Sequence, residues 1–327
     1  MKNVFKKFLL QVLAHSFFFV TLKGSANELR ILTYDSMVGS GSLGEAIEAE
    51  FKKQCMTCTV KFLTTKDLWS LFQKIKKDLS KENSKVDYHG VLGISEAELN
   101  WAKDKGWLEN GRAFEWSPFA ILYDSKKITE KDLPKKWDEF PKKLKGKFLA
   151  QDPRLSQVGL GWLEFVFEKN QLSVDSVKTL RPRYFPSWSS SYESFLKGIG
   201  GAIWTYRTSA FYHECNDGPE INQKIKVMQF DDVSFPAQIN YFSQINEKWL
   251  SNPATNLTAF EDLLMGQKIQ NLILTKNWML PVNPSVEWPD CVTRSKWFSP
   301  DLKKIPEAQK RWDEQAFKKA LDIWSAL

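Results

Sequence analysis

Two cysteines, Cys55 and Cys58, are the first candidates for chemistry in this sequence. Their CxxC spacing is that of thioredoxin-type redox proteins, in which the reactive thiolate lies at a helix N-terminus, where the helix dipole lowers its pKa. Here the order is reversed, because a helical pattern over 43–53 ends before Cys55 and a strand pattern over 59–63 begins after Cys58. The sequence therefore favours a local disulfide, and an exported disulfide-exchange protein is the weaker alternative. Cys215 and Cys291 are left to pair with each other, a pairing that the sequence does not settle.

Neither a dinucleotide site nor a hydrolytic site is indicated by the remaining motifs. The run 39–44, GSGSLG, fits GxGxxG, but its glycines come several residues after the preceding strand pattern ends, whereas the dinucleotide fingerprint needs them in the tight turn. The histidines at 15, 89 and 213 lack the surrounding residues of GxSxG hydrolases or HExxH metalloproteins. We therefore expect a protein that is not an enzyme and that needs neither a cofactor nor a metal.

A polar run in the middle of the chain is a stronger candidate for ligand binding. Residues 151–161, QDPRLSQVGLG, follow a strand pattern over 147–150 and begin a helix, with Ser156 placed to cap it. A capping serine and the free N–H groups of a helix start can also bind a hydroxyl or a phosphate. Ser156 is thus predicted to cap the helix and to contact a ligand, with structural capping alone as the alternative.

Alternating strands and helices must position these residues. In the first part of the chain the predicted elements are strands over 29–34, 60–63 and 90–94 and helices over 43–53 and 68–79. This order predicts a parallel βαβαβ sheet, in which ligands bind beyond the carboxyl ends of the strands. The loops after Tyr34, Leu63 and Ile94 are therefore expected at the binding edge.

A second series of elements predicts a second lobe. Its predicted elements are strands over 147–150, 202–206 and 228–230 and a helix through Trp162 and Phe165, and further helices are predicted around 260–270 and over 309–326. The runs 119–123 and 233–242 are interpreted as the two strand crossings between lobes. We therefore predict an α/β protein of two doubly wound lobes, with lobe 1 formed by 27–117 and 234–327 and lobe 2 by 118–233.

The N-terminus indicates export. Lys2, Lys6 and Lys7 precede an apolar run over 8–22, and Gly24-Ser25-Ala26 supplies small residues for cleavage, which is typical of a signal peptide spanning 1–26. The apolar run is shorter than the roughly 20 residues that a membrane-spanning helix needs. No cysteine lies near the cleavage site to carry a lipid. We expect a mature protein that is free in the periplasm and not lipid-anchored.

Charge and aromatic content narrow the possible partners. Removing the four lysines of the predicted signal peptide, at 2, 6, 7 and 23, from the 46 basic residues leaves 42 against 39 acidic residues. An excess of three does not indicate nucleic-acid binding. The fourteen tryptophans stand out more, because amphipathic aromatic side chains line ligand clefts as well as cores.

Taken in order along nearly the whole mature chain, short pieces of the sequence resemble the type II periplasmic solute-binding proteins of ABC importers, and within that family the thiamine-binding group. These pieces are Thr33-Tyr34-Asp35-Ser36, the run 151–161, Trp188-Ser189 with Tyr192, residues 195–198, Tyr206 with Thr208-Ser209, Tyr212-His213, and Asn277-Trp278-Met279 with Pro281-Val282. The resemblance implies the type II periplasmic-binding-protein fold and a monomer that delivers thiamine or a thiamine phosphate to an ABC permease in the inner membrane.

The resemblance also implies which residues bind the ligand. They are Tyr34, Asp67, Ser156, Gln157, Trp188, Tyr206, Thr208, Ser209, Tyr212 and Trp278. Thiamine joins an aminopyrimidine to a cationic thiazolium, so it suits a cleft of aromatic faces that offer stacking and cation–π attraction. Another small charged solute, such as ferric iron or a polyamine, is the alternative within the same class.

Three departures from the family pattern bear on the ligand. The family's tryptophan in the loop after the first strand is missing from residues 37–44, and its Asp-Tyr-Gly-Tyr step at the first crossing is replaced by 115–118, EWSP. Arg207 replaces a small polar residue beside Tyr206. A guanidinium in the cleft would disfavour a thiazolium and favour a phosphate or carboxylate, unless it points away.

Overall fold

The computed structural model of the protein describes residues 28–66, 68–168, 171–307 and 314–326. The predicted signal peptide over 1–26 and the predicted ligand residue Asp67 lie outside these ranges. The strands are β1 (Glu28–Tyr34), β2 (Thr59–Thr65), β3 (Gly90–Ser95), β4 (Arg112–Asp124), β5 (Phe148–Gln151), β6 (Arg183–Phe185), β7 (Ala202–Tyr206), β8 (Ile225–Val227), β9 (Ala237–Gln244) and β10 (Leu280–Pro281).

Helices follow most of these strands. They are α1 (Leu43–Gln54), α2 (Leu68–Leu79), α3 (Glu96–Asp104), α4 (Phe140–Lys143), α5 (Gln157–Leu163), α6 (Val174–Leu180), α7 (Trp188–Leu196), α8 (Thr208–Asn216), α9 (Pro219–Lys224), α10 (Leu257–Met265), α11 (Gln267–Lys276), α12 (Asp290–Thr293) and α13 (Glu314–Ser325). A π-helical turn, Glu164–Glu168, continues α5. Within the described ranges no helix combines the length and the apolar character that a membrane span requires.

The first sheet confirms the predicted βαβαβ unit. Strand β1 lies between β2 and β3 and is parallel to both. Strand β9 then pairs antiparallel with β3, and the first half of β4 pairs antiparallel with β9. The carboxyl ends of β1, β2 and β3 therefore meet at one edge, where the predicted binding loops begin.

Strand β4 is shared by two sheets. Its residues 112–118 pair with β9, and its residues 119–123 pair antiparallel with β7. The hydrogen-bonded order is β2-β1-β3-β9-β4-β7-β5-β6, with β8 and β10 also paired to β4. The predicted first crossing, 119–123, is thus the second half of one long strand. The mixed α/β fold is as predicted.

One predicted strand is wrong. Residues 228–230 were expected to be extended in the second sheet, but the strand there is β8, which ends at Val227 opposite Leu122. Met228 is buried and the Phe230 ring packs edge-on against Trp137 at 5.1 Å between centroids. The Met228 N–H still donates to the Ile121 carbonyl of β4 at 2.8 Å, but the strand pairing ends there and residues 228–230 do not form a strand.

Both disulfides are formed. Cys55 pairs with Cys58, as predicted, and Cys215 of α8 pairs with Cys291 of α12. Val292, beside Cys291, belongs to the same core cluster as Phe211 of α8. The segment around α12 therefore packs against the second sheet although the predicted division assigns it to lobe 1. The lobe boundaries themselves stay a prediction.

Candidate functional site

The candidate residues converge on the facing edges of the two sheets. Tyr34 ends β1 and Tyr206 ends β7, while Gln157 begins α5 after β5 and Trp188 begins α7 after β6. Each is placed where the carboxyl end of a strand turns into a loop or a helix, the edge at which α/β sheets bind ligands. Hydrogen bonds through buried amide and carboxylate side chains connect Tyr34 to Tyr206 across this edge.

Glu115 of β4 is the centre of the first part of this network. Its Oε1 accepts hydrogen bonds from the Tyr34 hydroxyl and from Asn240 Nδ2, each at 3.0 Å, and its Oε2 accepts one from Asn277 Nδ2 at 2.6 Å. Asn277 Nδ2 also contacts the Tyr34 hydroxyl at 2.7 Å. Burial, and then Glu115, raise the pKa of Tyr34 well above its ordinary value, so its hydroxyl remains a donor at neutral pH.

The network continues across the boundary between the sheets through Gln238 of β9. Gln238 Oε1 accepts from the Tyr206 hydroxyl at 2.9 Å, and its Nε2 donates to Gln157 Oε1 at 2.7 Å and to Asn240 Oδ1 at 2.8 Å. Gln157 Nε2 in turn donates to the Glu98 carboxylate. The amide of Gln157, a predicted ligand contact, is thus engaged by Glu98 and Gln238 in this conformation.

Trp188 is held by a second set of contacts in the second sheet. Its Nε1 donates to Thr205 Oγ1 at 2.8 Å, and Thr205 Oγ1 lies 3.3 Å from Ser209 Oγ. The indole stacks on Tyr192 with 4.9 Å between ring centroids and 19° between planes. Two of the predicted ligand residues, Trp188 and Ser209, therefore share one hydroxyl partner.

Behind Trp188, a buried histidine fixes the position of Tyr192. The Tyr192 hydroxyl lies 2.7 Å from His213 Nε2, and His213 Nδ1 contacts the Asp217 carboxylate. The Tyr192 ring is therefore held on both sides, by the Trp188 indole and by the histidine.

Tyr212 and Trp278 form an aromatic pair. Their rings meet edge to face, with 5.1 Å between centroids and 83° between planes. Tyr212 is 40% exposed and is thus the most accessible of the predicted aromatic residues. Trp278 has a positive φ of 54°, a conformation that is rare for a residue other than glycine and that marks a locally constrained backbone.

The two remaining predicted hydroxyl residues, Ser156 and Thr208, lie at the starts of helices α5 and α8. Ser156 is the N-cap residue of α5, but its side chain makes no capping hydrogen bond, so the predicted side-chain cap is wrong. The buried Ser156 hydroxyl is left to other partners. The Thr208 hydroxyl contacts Ser117 Oγ at 3.1 Å and serves to join α8 to β4.

Arg207 has a backbone partner outside the set of predicted ligand residues. One of its guanidinium nitrogens donates to the Trp297 carbonyl, in the segment after α12. Burial lowers the pKa of this guanidinium.

The CxxC disulfide lies at the C-terminal end of helix α1, the opposite end to that of a thioredoxin-type redox site. Cys55 is the C-cap residue of α1 and its backbone N–H donates to Phe51. A helix C-terminus disfavours a thiolate, and Cys58 is 1% exposed.

Within the described residues, no group of three or more His, Cys, Asp or Glu side chains is arranged to hold a metal ion.

A cavity of about 410 Å³ lies between residues that follow strands of the two sheets. Lys66, Ser70 and Gln73 line it from the first sheet's side, and Arg154, Leu155 and Pro186 from the second. The volume lies in the range of small-molecule sites. None of the predicted aromatic ligand residues is among the lining residues of this cavity.

Solved structures of other proteins share the fold of this chain. A periplasmic thiamin binding protein superimposes with a TM-score of 0.71 and 22% identity, over 91% of this chain and 95% of that one. A ferric binding protein from Campylobacter jejuni superimposes with a TM-score of 0.69 and 12% identity, over 91% of this chain and 98% of that one. This chain has the type II periplasmic-binding-protein fold.

Relatives identified by sequence agree on one ligand in their names. The chain is 26% identical to the thiamine-binding periplasmic protein of Salmonella typhimurium over 283 residues, 78% of this chain and 80% of that protein. It is 25% identical to the thiamine-binding periplasmic protein of Escherichia coli over the same shares of the two chains. No protein-family model matches the chain.

Sequence reasoning missed three members of the network, Glu98, Gln238 and Asn240. Gln238 and Asn240 are two residues apart on β9, so they share one face of a strand whose other buried residues include Ile239 and Phe242. Ser95 and Glu98 form a capping box at the start of α3, which the SxxE spacing could have indicated. That spacing does not show that Glu98 also faces Gln157, because this contact joins distant parts of the chain.

Proposed function

We propose that this protein is the periplasmic solute-binding component of an ABC importer and that it captures thiamine or a thiamine phosphate between its two lobes. Binding and release, without covalent chemistry, are its function. The mature protein is free in the periplasm after removal of the signal peptide, acts as a monomer, and delivers its ligand to a permease in the inner membrane.

One observation carries the choice of ligand. Aromatic side chains converge from both sheets on one boundary, with Tyr34 on the first and Trp188, Tyr206 and Tyr212 on the second, and Trp278 packs against Tyr212. An aminopyrimidine and a cationic thiazolium are both flat, and both gain from aromatic faces. The named ligand of the relatives at 25% and 26% identity supports the same choice.

The polar groups of the boundary supply the remaining features of such a site. The Ser156 hydroxyl makes no capping bond, and Ser209 lies beside Thr205 at the edge of the second sheet. We propose that both contact the ligand, together with Thr208 and Asp67. The Arg207 guanidinium donates to the Trp297 carbonyl, which engages it outside this set of residues.

Capture is proposed to work by closure of the lobes. The network through Gln238 and Gln157 joins the two sheets in this conformation, and the polypeptide crosses between them at Phe119 and near Ala237. A ligand that contacts both lobes stabilises the closed form, which a permease can then distinguish from the open form.

A fluorescence titration tests the proposal. We predict that thiamine quenches or shifts the tryptophan emission of the purified protein, and that Trp188→Ala and Tyr212→Ala weaken thiamine binding by at least about tenfold, because each removes an aromatic contact from a desolvated site. Tyr212→Phe is the matched control and retains most of the affinity, since it keeps the ring.

The same titration separates the alternatives. Thiamine phosphates, spermidine and ferric citrate are tested alongside thiamine. Saturable binding of spermidine or ferric citrate without binding of thiamine would replace the proposed ligand. Equal affinity of both alanine variants and wild type for thiamine would refute the proposed residues while leaving the ligand in place.

A further inference from the structure

Glu115 is a fully buried carboxylate that the proposed function does not use. Its side chain is 0% exposed, and its three hydrogen-bond partners, Tyr34, Asn240 and Asn277, are uncharged. Within the described part of the chain, burial and these three donors are the influences on the Glu115 pKa, with no cation among them. Lys276, the residue before Asn277, donates to the Gly41 carbonyl at 2.8 Å instead.

The hydrogen bonds of Glu115 suit its ionised form. Both amide NH2 groups act only as donors, and the Tyr34 hydroxyl donates in the same direction, so the two carboxylate oxygens accept from three groups. A neutral carboxyl would need an acceptor for its own proton. Burial raises the Glu115 pKa above its ordinary value, and the three donors oppose this effect, so these donors are the groups that favour the ionised form.

A buried charge without an opposite charge is costly in a folded protein. In a binding protein, the missing cation can be supplied by the ligand. Tyr34 is the predicted ligand contact next to Glu115, and its hydroxyl, which donates to the carboxylate, links the charge to the cleft edge at the end of β1. Donation to a carboxylate also makes the phenol ring more electron-rich, which strengthens its attraction for a cation.

We propose that Glu115 is the buried countercharge for a cationic ligand and determines the preference of the site for a cation over a neutral molecule of the same shape. The inference rests on the proposed function and deepens it. Glu115 acts through Tyr34 and the field of its own charge, so it is a specificity-determining residue that does not itself touch the ligand.

The test compares two ligands that differ in one charge. Wild type and Glu115→Gln are titrated by calorimetry with thiamine and with its neutral isostere, in which a thiophene replaces the thiazolium. We expect Glu115→Gln to lose at least about tenfold in thiamine affinity and to bind the isostere within about twofold of wild type, since only the charged ligand interacts with the removed charge. Glu193→Gln, an exposed carboxylate of α7, is the matched control and changes neither affinity.

Two further measurements separate a charge effect from a structural one. Glu115→Asp keeps the charge and is expected to keep the preference for thiamine over the isostere, even where both affinities fall. The melting temperature of ligand-free Glu115→Gln measures the structural cost of the substitution, because the glutamine NH2 group places a donor against the donors that surround this side chain. An equal loss for thiamine and the isostere in Glu115→Gln would overturn the inference. A wild type that binds neither ligand would instead refute the proposed function.

Discussion

At the scale of single residues, His89 shows how burial couples a side chain to pH. Its Nδ1 accepts a hydrogen bond from the Arg30 backbone N–H at 3.0 Å, which requires a neutral ring nitrogen. Burial, and then the Arg30 guanidinium, lower the His89 pKa below its ordinary value of 6.5. The unfolded chain therefore binds the proton more readily than the folded one at pH values below 6.5.

The sign of the pH dependence follows from this difference. The contribution of His89 to stability is complete above pH 6.5 and is lost as the pH falls from 6.5 toward the lowered folded value. We predict that the free energy of unfolding declines over this window, down to about pH 5 where carboxylates begin to titrate. Urea denaturation of wild type and His89→Gln at each pH measures it, and the variant is expected to give the flatter profile. A wild-type profile that is no steeper would contradict the prediction.

Residue types and order were enough to predict part of the candidate site. Tyr34 lies at a strand end, as the βαβ pattern implied, and Tyr206, Trp188 and Gln157, which the resemblance implied, lie at strand ends or helix starts as well. Their contact with a ligand stays a prediction. What the sequence could not provide was the partner of each side chain. The Gln157 amide was predicted to meet a ligand, but its contact with Glu98 spans 59 residues and depends on how the two sheets face each other.

At the scale of elements, helix α13 connects the two sides of the molecule. Near its start, Glu314 pairs with Lys76 of α2 at 3.2 Å, and Phe317 packs on Trp101 of α3. Near its end, Trp324 packs edge-on against Tyr184 of β6, with 5.1 Å between centroids. The helix therefore contacts elements of both sheets.

Trp324 is the residue of α13 on which contact with the second sheet depends. It is 8% exposed, and the Arg154 guanidinium lies 4.8 Å from its ring centroid. We predict that Trp324→Ala lowers the free energy of unfolding by about 3 kcal/mol, the order expected for truncating a buried tryptophan. Its neighbour Ile323 is 36% exposed, so Ile323→Ala is the matched control, with a loss of under about 1 kcal/mol. Guanidinium denaturation compares them, and equal losses would show that α13 does not use Trp324 to hold the second sheet.

The elements themselves were largely predictable, and the exceptions have physical causes. The helices α1 and α2 and the strands β1 to β3 follow their hydrophobic periodicity closely. Met228 and Phe230 alternate with the polar Gln229 and so looked like a strand, but the ladder pairs of β8 end at Val227. A short alternation of this kind does not distinguish a strand from a loop that buries two apolar side chains, because burial alone produces the same pattern.

At the scale of the whole molecule, the contact between Gln157 and Glu98 joins the second sheet to the first. Gln157 lies at the start of α5, and Glu98 is the capping-box residue of α3, where Ser95 Oγ donates to its carboxylate at 2.6 Å. Gln238 Nε2 holds the other end of the Gln157 amide at 2.7 Å. These hydrogen bonds join the two sheets in this conformation, and we propose that they favour the closed arrangement of the lobes.

Exchanging the side chains of Gln157 and Glu98 tests the role of their contact in closure. Gln157→Glu places a second carboxylate against Glu98, so we predict that repulsion opens the ligand-free protein. Small-angle scattering should then give a larger radius of gyration. Thiamine affinity should fall about tenfold, because the binding-competent state becomes less populated. Glu98→Gln alone keeps the capping box, since glutamine serves as well as glutamate at that position. The double variant Glu98→Gln with Gln157→Glu restores an amide facing a carboxylate, so it should return both the radius and the affinity toward wild type. A double variant that stays as open as Gln157→Glu would show that the single change acts by some route other than repulsion between these two side chains.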